Sequence, residues 1–307
     1  MRLFFLFMEK KLNGLFPILL TPFTDSMDVD FDTLAKLVEY YRKSHIDGLT
    51  CLGEVSEVDL LNEEEKRSIL KSVIEALQEK IPVIAGAGRG SINPTKAAVK
   101  EAFSLGASAV LVPPPKVQAM KAEEIYDYFV QLDDASNGSI IILDNPSLGY
   151  PLISVDTVTR LVNDSRNIKG IKVEEQPSIL KIVELRKNLG DSVAIYGASH
   201  GRSLFWEMER GIDGVITSAP IPSQMLEIWK LFHEGEREKA YEAFLASLPM
   251  AYFMQERPVA VKKEILSHLG IFPNNLVRKR ADSLDDLTAM DLDRLVDWTI
   301  KRFKDLR

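Results

Sequence analysis

At 307 residues the chain is longer than an ordinary single domain, but it fits one α/β barrel with an appendage. Its 46% hydrophobic and 27% charged residues are globular values, and a net charge of −7 with interspersed charges argues against nucleic acid as a partner. The single cysteine, Cys51, excludes internal disulfides and a cysteine-based zinc site, and it fits a cytoplasmic protein.

The N-terminus carries an apolar run at residues 3–8, which Glu9, Lys10 and Lys11 close. This run is too short for the core of a secretory signal and far too short to span a bilayer. We therefore expect residues 1–10 to be an N-terminal extension without function, and we expect no membrane partner.

Short apolar runs recur along the chain at a regular spacing. Their hydrophobicity is continuous rather than alternating, which is typical of parallel strands buried on both faces. The eight runs are residues 14–20, 48–52, 82–85, 109–112, 140–143, 168–171, 193–196 and 214–216.

Amphipathic stretches with helix start signals separate the runs, as at Asp30, Asn62 and Ser154. Eight strands with eight helical crossovers are the count of a (β/α)8 TIM barrel, whereas a doubly wound open sheet would leave two runs unplaced. We therefore assign residues 11–235 to an α/β barrel. Residues 236–307 are interpreted as a C-terminal three-helix extension, with helices at 236–249, 256–268 and 285–305.

Lys172 stands out among the residues at the carboxyl ends of the strands, where barrel enzymes place their reactive groups. Its strand neighbours are apolar, and such surroundings disfavour the ammonium form and make the amine nucleophilic. This amine could condense with a ketone, and the resulting iminium acts as an electron sink for bond making or breaking. The alternative is a surface lysine at the start of a loop.

Several motifs resemble those of the dihydrodipicolinate synthase / N-acetylneuraminate lyase family. Residues 14–23 (GLFPILLTPF) are similar to its first-strand signature, and residues 168–172 (IKGIK) resemble its Schiff-base lysine motif. Weaker similarities lie at residues 84–88, 106–109 and 211–216, and the resemblance spans about residues 12 to 300. It implies a class I aldolase barrel with Lys172 as the imine-forming residue, and a homotetramer built as a dimer of dimers.

The chain departs from the family at its proton relay. The family usually has Gly-Thr-Thr-Gly-Glu after the second strand, but residues 53–57 read GEVSE. Asp144 occupies the position of the family's shuttle tyrosine, and residues 113–115 (PPP) replace a Pro-Tyr-Tyr motif that lends a tyrosine across a subunit interface. The arginine of typical synthases has no counterpart in residues 147–150.

Chemistry at an imine still needs a proton-transfer group, and we assign this role to Asp144 and Glu54. Both would lie at the barrel mouth, where burial can adapt a carboxyl group to general acid/base work. The alternatives are a local backbone cap for Asp144 and an ion pair with Arg89 or another cation for Glu54. The hydroxyl of Tyr150 could also swing inward.

The remaining polar positions at the strand ends are candidates for substrate binding. Ser56 and the backbone amides near Val55 could hold a carboxylate. Thr21, Gly197 and Thr217 complete the predicted binding residues, and His200 is interpreted as a capping or solvent residue. The four histidines show no metal-ligand spacing, so we expect neither a metal nor a cofactor.

The sequence therefore predicts a lyase or aldolase that acts on pyruvate or a 2-keto-3-deoxy sugar acid, and not a true dihydrodipicolinate synthase. One alternative is a non-catalytic barrel that binds a 2-oxo acid as a sensor or regulator. Another is a phosphate-binding barrel enzyme that uses the loops after the last two strands, with Lys172 in a structural role.

Overall fold

The computed structural model describes residues 12–78, 80–117, 119–256, 259–279 and 284–305. The predicted N-terminal extension, residues 1–10, lies outside this range. Within the range, no helix combines the length and the apolar character needed to cross a membrane.

Eight parallel strands alternate with helices and form the predicted barrel. The strands are β1 (Gly14–Pro17), β2 (Leu49–Cys51), β3 (Val83–Gly86), β4 (Ala109–Val112), β5 (Ser139–Asp144), β6 (Ile168–Val173), β7 (Ala194–Gly197) and β8 (Gly214–Thr217). Each strand from β2 to β7 pairs with the next in sequence, and β8 pairs with β1. A parallel bridge between Ile18 and Thr50 closes the gap between β1 and β2. The (β/α)8 prediction is confirmed.

In the described part of the chain, eight α-helices surround the strands and three more follow them. They are α1 (Phe31–Lys43), α2 (Glu63–Leu77), α3 (Ile92–Leu105), α4 (Ala122–Ala135), α5 (Val155–Asp164), α6 (Ser178–Leu189), α7 (Leu204–Glu209), α8 (Pro222–His233), α9 (Arg237–Glu256), α10 (Val259–His268) and α11 (Asp286–Asp305). The predicted start signals act as caps. Asn62 and Glu65 form a reciprocal capping box at α2, and the side chains of Asp30 and Ser154 cap α1 and α5.

The C-terminal extension is helical as predicted, but its first helix is longer than expected. Pro249 favours a helix end near residue 249, whereas α9 continues to Glu256. The buried side chains of Met250 and Met254 explain the difference, because they pack with Val261 and Leu292 of the later helices. This tertiary contact outweighs the local preference of the proline.

Side chains alternate between two environments along each strand, and this alternation decides which residues can reach the barrel interior. Phe16, Ile84, Leu111 and Tyr196 belong to an interior cluster, whereas their strand neighbours pack under the helices. Leu143 also faces the interior and pairs in register with Lys172.

The C-terminal helices are tied to the loop after β2 by buried charges. Lys263 of α10 donates to Oε1 of Glu57 at 2.6 Å, and the backbone N–H of Arg278 donates to its other oxygen at 2.8 Å. Both side chains of the ion pair are at most 5% exposed. The extension therefore holds in place the loop that carries Glu54.

Candidate active site

A cavity of about 320 Å³ opens at the carboxyl ends of the strands. The bottom of the cavity is formed by apolar side chains at the upper end of the barrel interior. They are Ile18, Leu111 and Leu143. Loops after the strands form the walls, and Gln255 at the end of α9 contributes from the C-terminal extension. This is the end of the barrel at which α/β-barrel enzymes carry out their chemistry.

Lys172 lines this cavity and is 4% exposed. It lies on β6 opposite Leu143, so its side chain faces the barrel interior. Its Nζ lies 3.1 Å from Oε1 of Glu174, which also lines the cavity. The amine therefore has a carboxylate partner inside the cavity, in addition to the apolar neighbours that the sequence indicated.

Glu174 was missed by the sequence reasoning, although the strand period could have found it. It lies two positions after Lys172, so an extended chain directs both side chains to the same side. Its Oε2 accepts a hydrogen bond from Nδ2 of Asn145, and the hydroxyl of Ser147 donates to Oδ1 of Asn145 at 2.6 Å. Asn145 and Ser147 follow β5, so the pair is supported from the neighbouring strand.

Glu54 also lines the cavity, and Tyr150 lies beside it. The Tyr150 hydroxyl donates a hydrogen bond to Oε1 of Glu54, and Lys116 Nζ lies 3.8 Å from the same oxygen. Burial and the neighbouring Glu54 carboxylate raise the pKa of Tyr150, so its hydroxyl stays protonated. The alternative expected for Glu54 was an ion pair with Arg89 or another cation: its cation is Lys116, whereas Arg89 pairs with Glu63 at 3.1 Å.

The prediction that Asp144 lies at the barrel mouth as a proton-transfer group is wrong. Asp144 pairs in register with Val173, so both side chains face the helices and not the interior. Its carboxylate is fully buried 2.8 Å from Nζ of Lys181 on α6, and it is absent from the cavity lining. The sequence places Asp144 at the shuttle position of the family, but the strand alternation turns it away from the amine.

Two of the five predicted binding residues, Val55 and Thr217, line the cavity, and the other three do not. The Ser56 hydroxyl donates to the carbonyl of Leu19, and the Thr21 hydroxyl donates to the carbonyl of Ser56 at 2.7 Å. These two hydroxyls therefore stabilise the contact between the loops after β1 and β2. Both hydroxyls donate their hydrogen bonds to backbone carbonyls, so they are not available to bind a substrate carboxylate.

Gly197 allows helix α7 to pack closely against strand β7. A Cβ at this position would lie 2.3 Å from Oε2 of Glu207 on α7, so only glycine fits without a shift. Glu207 is 2% exposed, accepts a hydrogen bond from Ser178, and has its pKa raised to about 7 by burial.

His200 lies in the cavity wall rather than in solvent or at a helix cap. Burial, with Lys262 and Lys172 adding to the effect, lowers its pKa to about 3, so the imidazole is neutral. Its backbone has φ of 55°, a left-handed conformation that a non-glycine residue rarely adopts. The backbone N–H of His200 donates to Oγ1 of Thr217 at 2.8 Å, which links the loops after β7 and β8.

Among the residues that the structure describes, no group of three or more His, Cys, Asp or Glu side chains is placed to hold a metal ion. Two pairs of titratable groups line the cavity, Lys172 beside Glu174 and Tyr150 beside Glu54. Such an arrangement offers one amine and two sets of proton-transfer groups around a small space.

Comparisons with known proteins agree with this architecture. The family model described as the Dihydrodipicolinate synthetase family matches residues 11–297. The 4-hydroxy-tetrahydrodipicolinate synthase of Thermotoga sp. (strain RQ2) is 30% identical over 271 residues, covering 86% of this chain and 91% of the relative. That of Enterococcus faecalis is 30% identical over 263 residues, covering 84% and 89%.

Solved structures show the same fold over nearly the whole chain. Dihydrodipicolinate synthase from Rhodopseudomonas palustris has a TM-score of 0.88 at 26% identity, covering 93% of this chain and 97% of that one. A prophage protein of Escherichia coli K12, YagE in complex with pyruvate, has a TM-score of 0.88 at 22% identity, covering 94% and 99%. A structure described as the first monomeric dihydrodipicolinate synthase variant has a TM-score of 0.87 at 25% identity, covering 94% and 96%. With its barrel and the match of the family model, the chain belongs to the dihydrodipicolinate synthetase family.

Proposed function

We propose that the protein is a class I lyase whose Lys172 amine forms an imine with the ketone of a small 2-oxo acid. The observation that carries this proposal is the position of Lys172 on β6. Lys172 is 4% exposed and lines the cavity at the catalytic end of the barrel, and its amine lies 3.1 Å from a carboxylate oxygen. Members of the family are lyases, which favours catalysis over simple binding.

The imine makes the adjoining carbon–carbon or carbon–oxygen bond reactive. The protonated imine, an iminium, withdraws electrons from the carbon next to it. When a bond to that carbon breaks, the electron pair of the bond is therefore stabilised as an enamine. A lyase of this kind needs a group that moves a proton to or from the leaving or attacking fragment. Tyr150 and Glu54 are hydrogen-bonded in the cavity wall and supply such a group.

Tyr150 takes the place of the family's shuttle tyrosine in this proposal. The shuttle position itself holds Asp144, which faces α6, but the short turn after β5 brings Tyr150 into the cavity six residues later. The relay then consists of one phenol and one carboxylate, instead of a phenol and two threonine hydroxyls. Glu54 keeps the catalytic role that the sequence indicated.

The proposed substrates are pyruvate and 2-keto-3-deoxy sugar acids. A cavity of about 320 Å³ suits a small substrate, and the E. coli relative was solved in complex with pyruvate. True dihydrodipicolinate synthase activity is not proposed, because residues 147–150 contain no arginine. In addition, Glu54 replaces the first threonine of the family's Gly-Thr-Thr-Gly-Glu pattern, and the resemblance implies that this threonine pair holds the substrate carboxylate and relays protons. Val55 and Thr217 remain the proposed binding residues.

A homotetramer and a cytoplasmic location complete the proposal. The family resemblance supports the tetramer, but residues 113–115 lack the tyrosine that would cross an interface, and one structural relative is a monomeric variant. The buried thiol of Cys51, the only cysteine, is compatible with a reducing compartment.

Borohydride reduction in the presence of pyruvate tests the nucleophile. We expect one adduct, which peptide mapping by mass spectrometry should place on Lys172 and which K172A should abolish. Lys169 is the matched control, because it lies on the same strand but is exposed, and K169A should form the adduct normally. An adduct elsewhere, or none in the wild type, would overturn the proposed mechanism.

Turnover separates an enzyme from a sensor that also forms an imine. Release of pyruvate should be measured over a panel of 2-keto-3-deoxy acids, with K172A as the inactive control. Release by the wild type alone supports the lyase. Adduct formation with pyruvate but no release from any member of the panel would favour the non-catalytic alternative.

A further inference from the structure

The ion pair between Lys172 and Glu174 places a carboxylate oxygen 3.1 Å from the amine nitrogen, which is close enough for direct proton transfer. We propose that Glu174 is a catalytic residue that accepts a proton from Lys172 and returns it during imine formation, an inference that rests on the proposed function. The role follows from the contact of one carboxylate oxygen with the reacting nitrogen.

The contact is built into the backbone of β6. Glu174 extends this strand, because its backbone N–H donates to the carbonyl of Asp144 at 2.9 Å, in the ladder with β5. The period of two then directs Glu174 to the same side as Lys172. The side chains are 14% and 5% exposed, so bulk water has little access to the pair.

The neighbouring strand end orients the carboxylate. Asn145 is 5% exposed and donates its amide N–H to Oε2 of Glu174, while its own carbonyl oxygen accepts the hydroxyl proton of Ser147 at 2.6 Å. The Ser147 contact determines which end of the amide faces Glu174. Oε1 is thereby left to the amine, with which it lies at hydrogen-bond distance.

The proton steps balance with these two groups and the substrate alone. Transfer from the Lys172 ammonium to the Glu174 carboxylate gives a neutral amine and a carboxylic acid. The amine attacks the ketone carbon to give a carbinolamine, and the nitrogen proton passes to the alkoxide oxygen. The Glu174 carboxylic acid then protonates the hydroxyl that leaves as water, which restores the carboxylate and yields the iminium.

The same carboxylate is placed to make the enamine. When the iminium has formed, the carboxylate can accept a proton from the carbon next to it, and the electron pair of that C–H bond moves into the new carbon–carbon double bond. Return of the proton reverses the step. In pyruvate this carbon is the methyl group, so the step exchanges the methyl hydrogens with solvent.

Among the residues that the structure describes, the other charged and titratable groups that line the cavity form no ion pair with the amine. Glu54 is engaged by Tyr150 and Lys116, and Asp59 also pairs with Lys116 at 3.8 Å. His200 is flanked by cations that oppose its protonation, and Arg202 is a cation that cannot accept a proton. Glu174 is the carboxylate that the structure places at the reacting nitrogen.

Exchange of the pyruvate methyl hydrogens in D2O, followed by NMR, tests the proposal without knowledge of the natural substrate. We expect E174Q to exchange about 100- to 1,000-fold more slowly than the wild type at neutral pH, since general acid/base groups contribute on this scale. The difference in exchange rate between E174Q and the wild type should become smaller as the pH rises, because hydroxide can then remove the proton from the Lys172 ammonium. E174D should recover part of the rate.

Glu175 is the matched control, because it is the adjacent glutamate but pairs with Lys181 at 2.5 Å. E175Q should exchange at the wild-type rate. A wild-type rate in E174Q or an equal loss in E175Q would overturn the role of Glu174, provided that borohydride traps pyruvate on Lys172 of the wild type. Absence of that adduct would instead overturn the proposed function, and the role of Glu174 with it.

Discussion

The Tyr150 hydroxyl donates a hydrogen bond to the Glu54 carboxylate, and the pair joins the loops after β5 and β2 at the wall of the cavity that contains Lys172. In the family pattern these loops carry a tyrosine and a threonine pair. The chain therefore retains a phenol at this place, although it arises from a later position of the loop and has a carboxylate as its partner.

This pair predicts a defined pattern of activity losses. Y150F and E54Q should each lower pyruvate release by about 100-fold or more, because proton transfer to the substrate fragment is impaired. The double variant should lose little more than either single one, since the two groups act as a unit. Borohydride trapping on Lys172 should persist in all three.

Tyr126 provides the control for this prediction. Its hydroxyl donates to Asp164 at 2.8 Å on the protein surface, so Y126F removes a similar hydrogen bond far from the cavity. Pyruvate release by Y126F should match the wild type. Full activity in Y150F would show that the phenol takes no part in the reaction.

The buried pair of Asp144 and Lys181 predicts a loss of stability without a loss of imine formation. D144N leaves the buried Lys181 ammonium with Glu175 as its remaining carboxylate partner. Chemical denaturation should show a free energy of unfolding lower by about 3 kcal/mol, the scale for breaking a buried ion pair. The folded variant should form the Lys172 adduct at the wild-type rate, and a slower rate would restore Asp144 to the catalytic machinery.

Glu207 predicts a stability difference that depends on pH. Its folded pKa of about 7 exceeds the ordinary value of 4.5, so between these values the unfolded chain ionises first and unfolding becomes easier as the pH rises. E207Q lacks this penalty. Its free energy of unfolding, relative to the wild type, should therefore rise between pH 4.5 and 7 by about 3 kcal/mol.

Chemical denaturation across this pH range, with E209Q as the control, checks the prediction. Glu209 lies on the same helix but is exposed, so E209Q should track the wild type at every pH. A difference between E207Q and the wild type that stays constant with pH would mean that Glu207 ionises normally when buried.

The barrel could be predicted from the sequence because its signal is repetitive and local. Continuous apolar runs separated by capped helices leave few other arrangements, and the structure has strands at all eight predicted positions. Lys172 could be found for the same reason, since its position at the end of a buried strand is readable from its neighbours. The side chains that other strands contribute to the cavity were harder to predict, because their placement depends on strand register and on the turns that follow the strands.

Lys172, the barrel and the family resemblance could all be read from the order of residues alone. The tertiary structure decided which polar groups meet the amine. Asp144 and Leu143 are adjacent in sequence but face opposite sides of β5. Leu143 therefore lines the cavity, whereas Asp144 forms a buried ion pair with Lys181 behind the strand. Glu174 follows from the period of β6, whereas Tyr150 enters the cavity only because the turn after β5 brings it there.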